Sequence, residues 1–336
     1  MKIAVISGGT SAERDVSLVS GLAISKALAE AGHQVIAVDC AFGDRVIENW
    51  DSEINDIIHV KHSGFETKKQ ELDRNIMRTV QFIFDNQIDV AFIALHGGYG
   101  ENGQIQALLE LMKISYTGSD SLASGMGMNK HISKILFQKQ GIPVADWIKL
   151  DHPEDLNKLN IVKMGFPLVI KPNDQGSTVG LTVVQEKANL EPATKLAFQF
   201  SDTVLAEEYI PGKEVTVSIL GEQALPIIEI IPEHGIYDYE CKYQQGKSQY
   251  VVPAKLPNDI TSELQKYALE AYQTLGCRHY ARVDFRLSPQ NDAFCLEVNT
   301  LPGMTPTSLV PKAAKAIGIG FSELVHRIVN MTVDKK

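Results

Sequence analysis

Short apolar runs alternate with segments of helical period along the first third of the chain. "KIAVISGG" reads as a buried strand broken by a glycine turn. A helix follows from about Val16 to Ala31 and stops at Gly32, and "QVIAVDC" supplies the next strand. This strand–helix–strand opening predicts a parallel sheet. Residues 41–75 carry no regular pattern. "RNIMRTVQFIFDN" then has helical period, "DVAFIAL" reads as a third buried strand, and "HGGYGENG" leads into the helix "QIQALLELM".

The pattern changes at "GSDSLASGMGMNK", where small residues mark a boundary. A helix from about Lys130 to Gln140 ends at Gly141-Ile142-Pro143. "FPLVIKPNDQGSTVGLTVV" reads as two strands joined by a flexible loop, and "VLAEEYIPGKEVTVSIL" as two more. The last third holds a helix near 261–275, the strand pair "ARVDFRL" and "FCLEVN", and a closing helix from about Phe321. No internal repeat or low-complexity tract interrupts it.

The 336 residues allow two or three domains. With 44% apolar and 22% charged residues the chain is of ordinary globular composition. A net charge of -9 argues against nucleic acid as a partner, since that needs a basic footprint. Cys40, Cys241, Cys277 and Cys295 are in no CxxC spacing, which sets aside zinc ribbons and suits a reducing cytosol. No stretch is apolar enough for a membrane span, and the amino-terminal run is too short for a signal peptide. A soluble, cytoplasmic protein is expected, in which the sequon at Asn330 has no role.

The strand pair near the end carries the strongest chemical signal. Period two sets Ala281, Val283, Phe285 and Leu287 on one face of the first strand and Arg282, Asp284 and Arg286 on the other. In the second strand Phe294, Leu296 and Val298 are set against Cys295, Glu297 and Asn299. "SPQND" between them is rich in turn residues, so a hairpin is expected. A register with Asp284 opposite Glu297 and Arg282 opposite Asn299 gathers two carboxylates, an amide and a guanidinium. Two facing carboxylates repel, and a hard cation such as Mg²⁺ relieves that repulsion. A solvated face with an Arg–Asp pair fits the same pattern.

Other loops add candidates. Lys171 ends an apolar strand, where a lysine is costly unless it meets a charge. Gly176, Ser177, Thr178 and Gly180 follow it, suited either to cradling a phosphate or to an ordinary hairpin turn. No Walker A motif occurs. Glu207, Glu208 and Glu214 offer carboxylates for ribose hydroxyls or form a charged loop. Gly98, Gly100 and Gly103 match a dinucleotide fingerprint, with Asp120 downstream, which makes a nicotinamide dehydrogenase a competitor. His96 precedes them, as a substrate contact or a core histidine. Glu13 and Arg14 lie outside the first strand's end, where α/β folds bind ligands, though Glu13 also suits a helix N-terminus.

Taken in order, "GGTSAERDVSL", "ALHGGYGENGQIQ", "YTGS", "KPNDQGSTVG", "YDYECKY", "ARVDF" and "LEVNTLPGMTPTSLVP" resemble the D-alanine–D-alanine ligases of the ATP-grasp superfamily along essentially the whole chain. The resemblance implies an α/β chain with an ATP-grasp fold behind a Rossmann-like N-terminal domain. Its divisions are residues 1–122, a central subdomain at 123–208, and a C-terminal subdomain at 209–336. It also implies ATP-dependent joining of two D-alanines through an acyl phosphate, for peptidoglycan synthesis and hence cell-wall shape. A related carboxylate–amine ligase with another acceptor is the alternative, as is a catalytically silent binding protein on the same fold.

Carried over by motif, Lys130 and Lys171 hold ATP phosphates, with Ser177 in the loop between, and Glu207 and Glu214 lie on the adenosine side. Asp284, Glu297 and Asn299 hold two Mg²⁺, or Mn²⁺. Glu13 takes the ammonium of the first D-alanine. Arg282 and the Gly303 N–H match the oxyanion stabilisers, Ser308 the contact to the second carboxylate, and His96 an active-site residue of conformational importance. Ser177 and Tyr243 latch the "YDYECKY" loop with Glu13, and Lys242 reaches the transferring phosphoryl group. Tyr243, where depsipeptide-forming relatives resemble a phenylalanine replacement, implies D-alanine over D-lactate. Asn129, where many relatives carry Asp, and Glu208, where relatives often have Lys, depart from the pattern. Homodimerisation is expected from the resemblance.

Overall fold

The structure is a computed structural model describing residues 1–48, 65–158, 161–233 and 247–333. Its first sheet is parallel, as the opening pattern predicts. The strands β1 (Lys2–Ser7), β2 (Gln34–Asp39) and β3 (Val90–Ile93) lie in the order β2-β1-β3. Helix α1 (Arg14–Glu30) joins β1 to β2, α2 (Phe65–Asp73) and α3 (Ile76–Asp85) precede β3, and α4 (Gln104–Leu111) follows it.

The small-residue stretch is helical. Helix α5 (Ser121–Met128) is capped by the Asp120 side chain, which accepts from the Ala123 N–H at 2.9 Å. Its small residues allow close approach: a Cβ on Gly127 would stand 3.2 Å from the Val298 carbonyl oxygen. Helix α6 (Lys130–Lys139) starts at once, with Asn129 as its cap to the Ile132 N–H at 3.0 Å. Asparagine caps as well as aspartate, so this departure leaves the helix start intact.

The antiparallel sheet that follows contains β4 (Trp147–Leu150), β5 (Leu168–Pro172), β6 (Thr182–Val184) and β7 (Val204–Glu208), in the order β4-β7-β5-β6. A short helix α7 (Asp155–Lys158) leads toward β5, and α8 (Leu190–Ala197) leads toward β7. The larger antiparallel sheet takes β8 (Lys213–Leu220), β9 (Gln223–Ala224), β10 (Ile228–Pro232), β11 (Ser248–Val251), β12 (Tyr280–Leu287) and β13 (Ala293–Asn299). Its order is β11-β10-β8-β12-β13, with β9 on β8. Helix α9 (Asn258–Thr274) precedes β12, and α10 (Leu309–Lys315) and α11 (Phe321–Val333) close the described chain.

Three apolar clusters hold these layers. Ile3, Val5, Val90 and Phe92 of the first sheet share theirs with Leu324, Val325, Ile328 and Val329 of α11. Val283, Phe285 and Cys295 of the larger sheet pack with Leu264 and Ala268 of α9 and Phe137 of α6. Leu168, Ile170, Val204 and Ala206 of the four-stranded sheet form a separate cluster with α8.

The β12–β13 hairpin has the anticipated register, Arg282 opposite Asn299 and Asp284 opposite Glu297. Ser288 and Asp292 close its turn through the Ser288 N–H and Asp292 carbonyl at 2.9 Å. The strict alternation of β13 fails at a bulge, where Phe285 pairs with Cys295 while Asp284 pairs with Glu297. The extra residue, Leu296, re-aims its neighbours. Cys295 therefore enters the core with Val298, while Leu296 joins Glu297 on the opposite side.

The fingerprint glycines serve packing. A Cβ on Gly100 would lie 2.6 Å from the Leu95 Cβ. Gly103 caps α4 at φ +94°, and a Cβ there would lie 2.3 Å from the Ser121 carbonyl oxygen. Their spacing thus arises where the chain threads between Leu95 and α5, and the dehydrogenase reading loses its support. Gly103→Ala is expected to destabilise the fold by about 2–4 kcal/mol through strain and overlap. Urea unfolding monitored by circular dichroism measures it.

Candidate active site

The two antiparallel sheets close on a cleft of about 1020 Å³. Lys171 and Glu207 project into it from the four-stranded sheet, and Glu214, Asp284, Arg286 and Glu297 from the larger one. Lys130 enters from the start of α6, and Ser177 and Thr178 from the loop after β5. Val169, Val183, Ile210 and Leu296 give it apolar walls. A flat ring with a charged tail fits this combination of apolar wall and clustered charge.

Most charges in the cleft meet an opposite one. Lys130 Nζ lies 3.1 Å from Glu297 Oε2 and donates to the Gln175 carbonyl at 2.8 Å. Lys171 Nζ lies 2.9 Å from Glu207 Oε2, and Lys134 Nζ 3.4 Å from Glu207 Oε1. Arg282 holds Asp284 in a two-pronged pair at 2.9 and 2.8 Å, and Thr216 Oγ1 donates to Asp284 at 2.6 Å. Arg286 lies 3.6 Å from Glu214 and over the Tyr209 ring.

Burial pushes Lys171 below its ordinary value; Glu207 opposes that, and Lys134 and Lys130 reinforce it. Burial works to raise the Glu207 carboxyl, but Lys171 and Lys134 outweigh it and hold the group below the ordinary carboxylate range. Two lysines against one buried glutamate, with Lys130 close to Lys171, leave this end of the cleft short of negative charge, which suits a polyanion.

The loop after β5 is strained in a telling way. Ser177 and Thr178 both have left-handed backbones, at φ +48° and +59°. Such strain concentrates at functional sites. Thr178 Oγ1 is buried with no hydrogen-bond partner among the described residues. Ser177 Oγ donates to Glu13 Oε1, so a loop of the second sheet reaches the first helix.

Glu13 and His96 line a neighbouring cavity with Gly8, Gly9 and Gly97. Glu13 immediately precedes α1, and its Oε2 is 3.0 Å from where a Gly97 Cβ would be. Buried Asp39 at the end of β2 sets this corner. It pairs with Arg14 through both carboxylate oxygens, while Arg14 Nη1 donates to the Gly9 carbonyl at 2.7 Å. A Cβ on Gly8, at φ +75°, would lie 2.2 Å from Asp39 Oδ1. His96 Nε2 is 3.2 Å from Ser20 Oγ, and its Nδ1 3.6 Å from Glu101.

A third, smaller cavity is lined by Lys130, Gly176, Glu297 and Asn299. Gly176 borders all three spaces, which lie side by side around it. Arg282, Gly303 and Ser308 line none of the three. Arg282 lies behind Asp284, and Ser308 Oγ sits 3.3 Å from a Cβ position on Gly303 while accepting from the Thr305 N–H. Asn299 Oδ1 accepts from the Leu301 N–H at 3.2 Å. Lys242 and Tyr243 lie outside the described residues.

Asp284 and Glu297 face each other across adjacent strands and both open into the cleft. With the Asn299 amide they form a hard oxygen set, which fits Mg²⁺. Lys134, Asp39 and Thr216 escaped sequence reasoning. Lys134 had one usable signal, its place four residues after Lys130 on the same helix face.

Antiparallel sheets closed on paired lysines and carboxylates define an ATP-grasp enzyme. The profile for the D-ala D-ala ligase N-terminus matches residues 2–119, and that for the D-ala D-ala ligase C-terminus residues 136–330. A D-alanine–D-alanine ligase of Halalkalibacterium halodurans is 41% identical over 341 aligned residues, covering 100% of each chain. The ATP complex of a D-alanine–D-alanine ligase from Bacillus anthracis superposes with a TM-score of 0.77 at 33% identity, covering 99% of this chain and 98% of that one. The VanG D-Ala:D-Ser ligase of Enterococcus faecalis also has a TM-score of 0.77, at 28% identity and 99% coverage of each chain. The chain belongs to the D-alanine–D-alanine ligase family.

Glu207→Gln leaves two buried lysines without their carboxylate. It is expected to cost about 3–5 kcal/mol at neutral pH. Lys171, pushed down by burial, sheds its proton more easily folded than unfolded, so the deficit narrows as pH rises. Urea unfolding at neutral and mildly alkaline pH reads both effects.

Proposed function

We propose that this chain joins two D-alanines at the cost of one ATP, giving D-alanyl-D-alanine, ADP and phosphate. The observation that carries the reading is the cleft itself, with Asp284 opposite Glu297 within one cavity shared by Lys130, Lys171 and Glu207. The carboxylate of the first D-alanine attacks the γ-phosphorus and ADP leaves, giving an acyl phosphate. The amine of the second D-alanine then attacks the acyl carbon. The tetrahedral adduct expels phosphate as the nitrogen loses its proton.

Lys130 and Lys171 take the phosphates, with the Ser177–Thr178 loop over them. Glu207 and Glu214 border the adenosine. Mg²⁺ or Mn²⁺, as two ions held by Asp284, Glu297 and Asn299, would neutralise phosphate charge during transfer. In the free enzyme Lys130 pairs with Glu297 and Arg282 with Asp284, which holds both carboxylates in place at the cleft. Glu13 takes the ammonium of the first D-alanine and Ser177 fixes the Glu13 carboxylate, while His96 lines the same cavity. Arg282 and the Gly303 N–H stabilise the oxyanion, and Ser308 takes the second carboxylate. Lys242 and Tyr243, from the "YDYECKY" segment, complete the reading as the residues that close over the acyl phosphate. Exclusion of water protects that intermediate from hydrolysis.

The reading extends to a cytoplasmic homodimer with units at 1–122, 123–208 and 209–336, supplying a peptidoglycan precursor. Among the described residues no helix is long and apolar enough to cross a membrane.

The test is phosphate release from Mg·ATP with D-alanine, L-alanine, D-serine, D-lactate or no acceptor, with mass detection of products. Release that requires D-alanine and yields the dipeptide is expected. Release that requires D-serine or D-lactate as partner would overturn the second substrate, and none with D-alanine the activity. Glu297→Gln is expected to lower kcat roughly 10²–10³-fold with little loss of stability.

A further inference from the structure

Glu207 is a carboxylate of the cleft walls held by two lysines, and the second lysine lies out of a ligand's reach. Lys130 and Lys134 are one turn apart on α6, so their side chains share a face. Lys130 lines the cleft; Lys134 does not. Lys134 is fully buried, its Nζ 3.4 Å from Glu207 Oε1, 3.3 Å from the Ala145 carbonyl oxygen and over the Trp147 ring at 5.4 Å. Lys171 approaches the other oxygen, Oε2, from the cleft side.

This asymmetry matters when a nucleotide enters. Asp284 and Glu297 exchange their protein cations for those that arrive with the phosphates. Glu207 has no such exchange: an adenine amino group donates a hydrogen bond but brings no charge. If Lys171 turns to the phosphates, a buried carboxylate loses its strongest partner. Such a group normally takes up a proton.

We propose that Lys134 is a positioning residue, the standing counter-charge of Glu207 that leaves Lys171 free to move to the phosphates. The inference rests on the reading of Lys171 as a phosphate ligand. The other groups near Glu207 cannot substitute. Lys130 pairs with Glu297 and the Gln175 carbonyl in the free enzyme, and turns to the phosphates when a nucleotide binds. On β4, Trp147 is neutral and its indole N–H donates to His131 Nδ1 at 2.9 Å, which leaves that nitrogen unprotonated. Burial and Lys149 push His131 further toward its neutral form. On β13, burial raises the Cys295 thiol despite the nearby Lys134, and it stays uncharged. Across the cleft, Glu214 has Arg286.

The test is calorimetric titration of ADP and of adenosine in buffers of differing ionisation enthalpy, at mildly alkaline pH, with wild type, Lys134→Met, Lys134→Arg and Lys171→Met. With Lys134→Met, ADP binding is expected to take up about one more proton than wild type, and affinity to fall about tenfold per pH unit. Adenosine, lacking phosphates, is expected to produce no excess uptake, and Lys134→Arg to behave as wild type. A purely structural role for Lys134 changes affinity without this proton count. Wild-type proton count and pH profile in Lys134→Met, alongside weakened ADP binding in Lys171→Met, would overturn this inference alone. ADP binding as tight in Lys171→Met as in wild type would overturn the phosphate assignment and this inference with it. Should Lys134→Met not fold, infrared difference spectra of the wild type decide. No new carbonyl band of a protonated carboxylic acid is expected on ADP binding, and its appearance would overturn the proposal.

Discussion

Charge buried between two sheets must be neutralised locally, and the cleft is organised by that demand. A carboxylate or ammonium withdrawn from water costs several kcal/mol unless partnered. The hairpin brings Asp284 and Glu297 face to face, and Arg282 and Lys130 answer them. Glu207 is answered by Lys171 and Lys134. The same arithmetic holds the outer corner, where Asp39 and Arg14 fix the Gly8–Gly9 turn and so the start of the helix beside Glu13. The partners of Asp284 and Glu297 are ones that a charged ligand can replace, which turns a stability requirement into a binding device.

The hairpin was legible because period two and a turn-rich connector leave little freedom. Residues of unlike faces cannot be exchanged without slipping every side chain to the wrong side. The bulge was not legible, since nothing in "FCLEVN" distinguishes Leu296 from its neighbours; only the pairing with β12 reveals the extra residue. Helix α5 was hidden for the opposite reason. "SLASGMG" has too little apolar contrast to show a period, and its identity rests on the Asp120 cap and the closeness of β13.

Within the site, residues that lie at strand ends or in glycine-bearing loops were readable, because chemistry is concentrated there. Lys171 and the Gly176–Gly180 loop are of this kind. Lys134 was not, because a lysine in the middle of an amphipathic helix ordinarily reaches solvent. Burial of its whole side chain depends on the strands bearing Trp147 and Glu207 covering α6, a tertiary fact with no local trace. The fingerprint at Gly98–Gly103 shows the converse error: a local pattern with a familiar meaning, produced here by crowding against Leu95 and Ser121.

The docking of α11 on the first sheet bears on how the chain is assembled. Ile3 and Val5 belong to the same apolar cluster as Val325 and Ile328, more than three hundred positions later. During synthesis β1 emerges before α11, yet their shared core is incomplete until α11 leaves the ribosome. The parallel strands must wait with apolar surface exposed, the condition in which intermediates are slow and prone to aggregate. The four-stranded sheet, with a core drawn only from residues near one another in sequence, has no such wait.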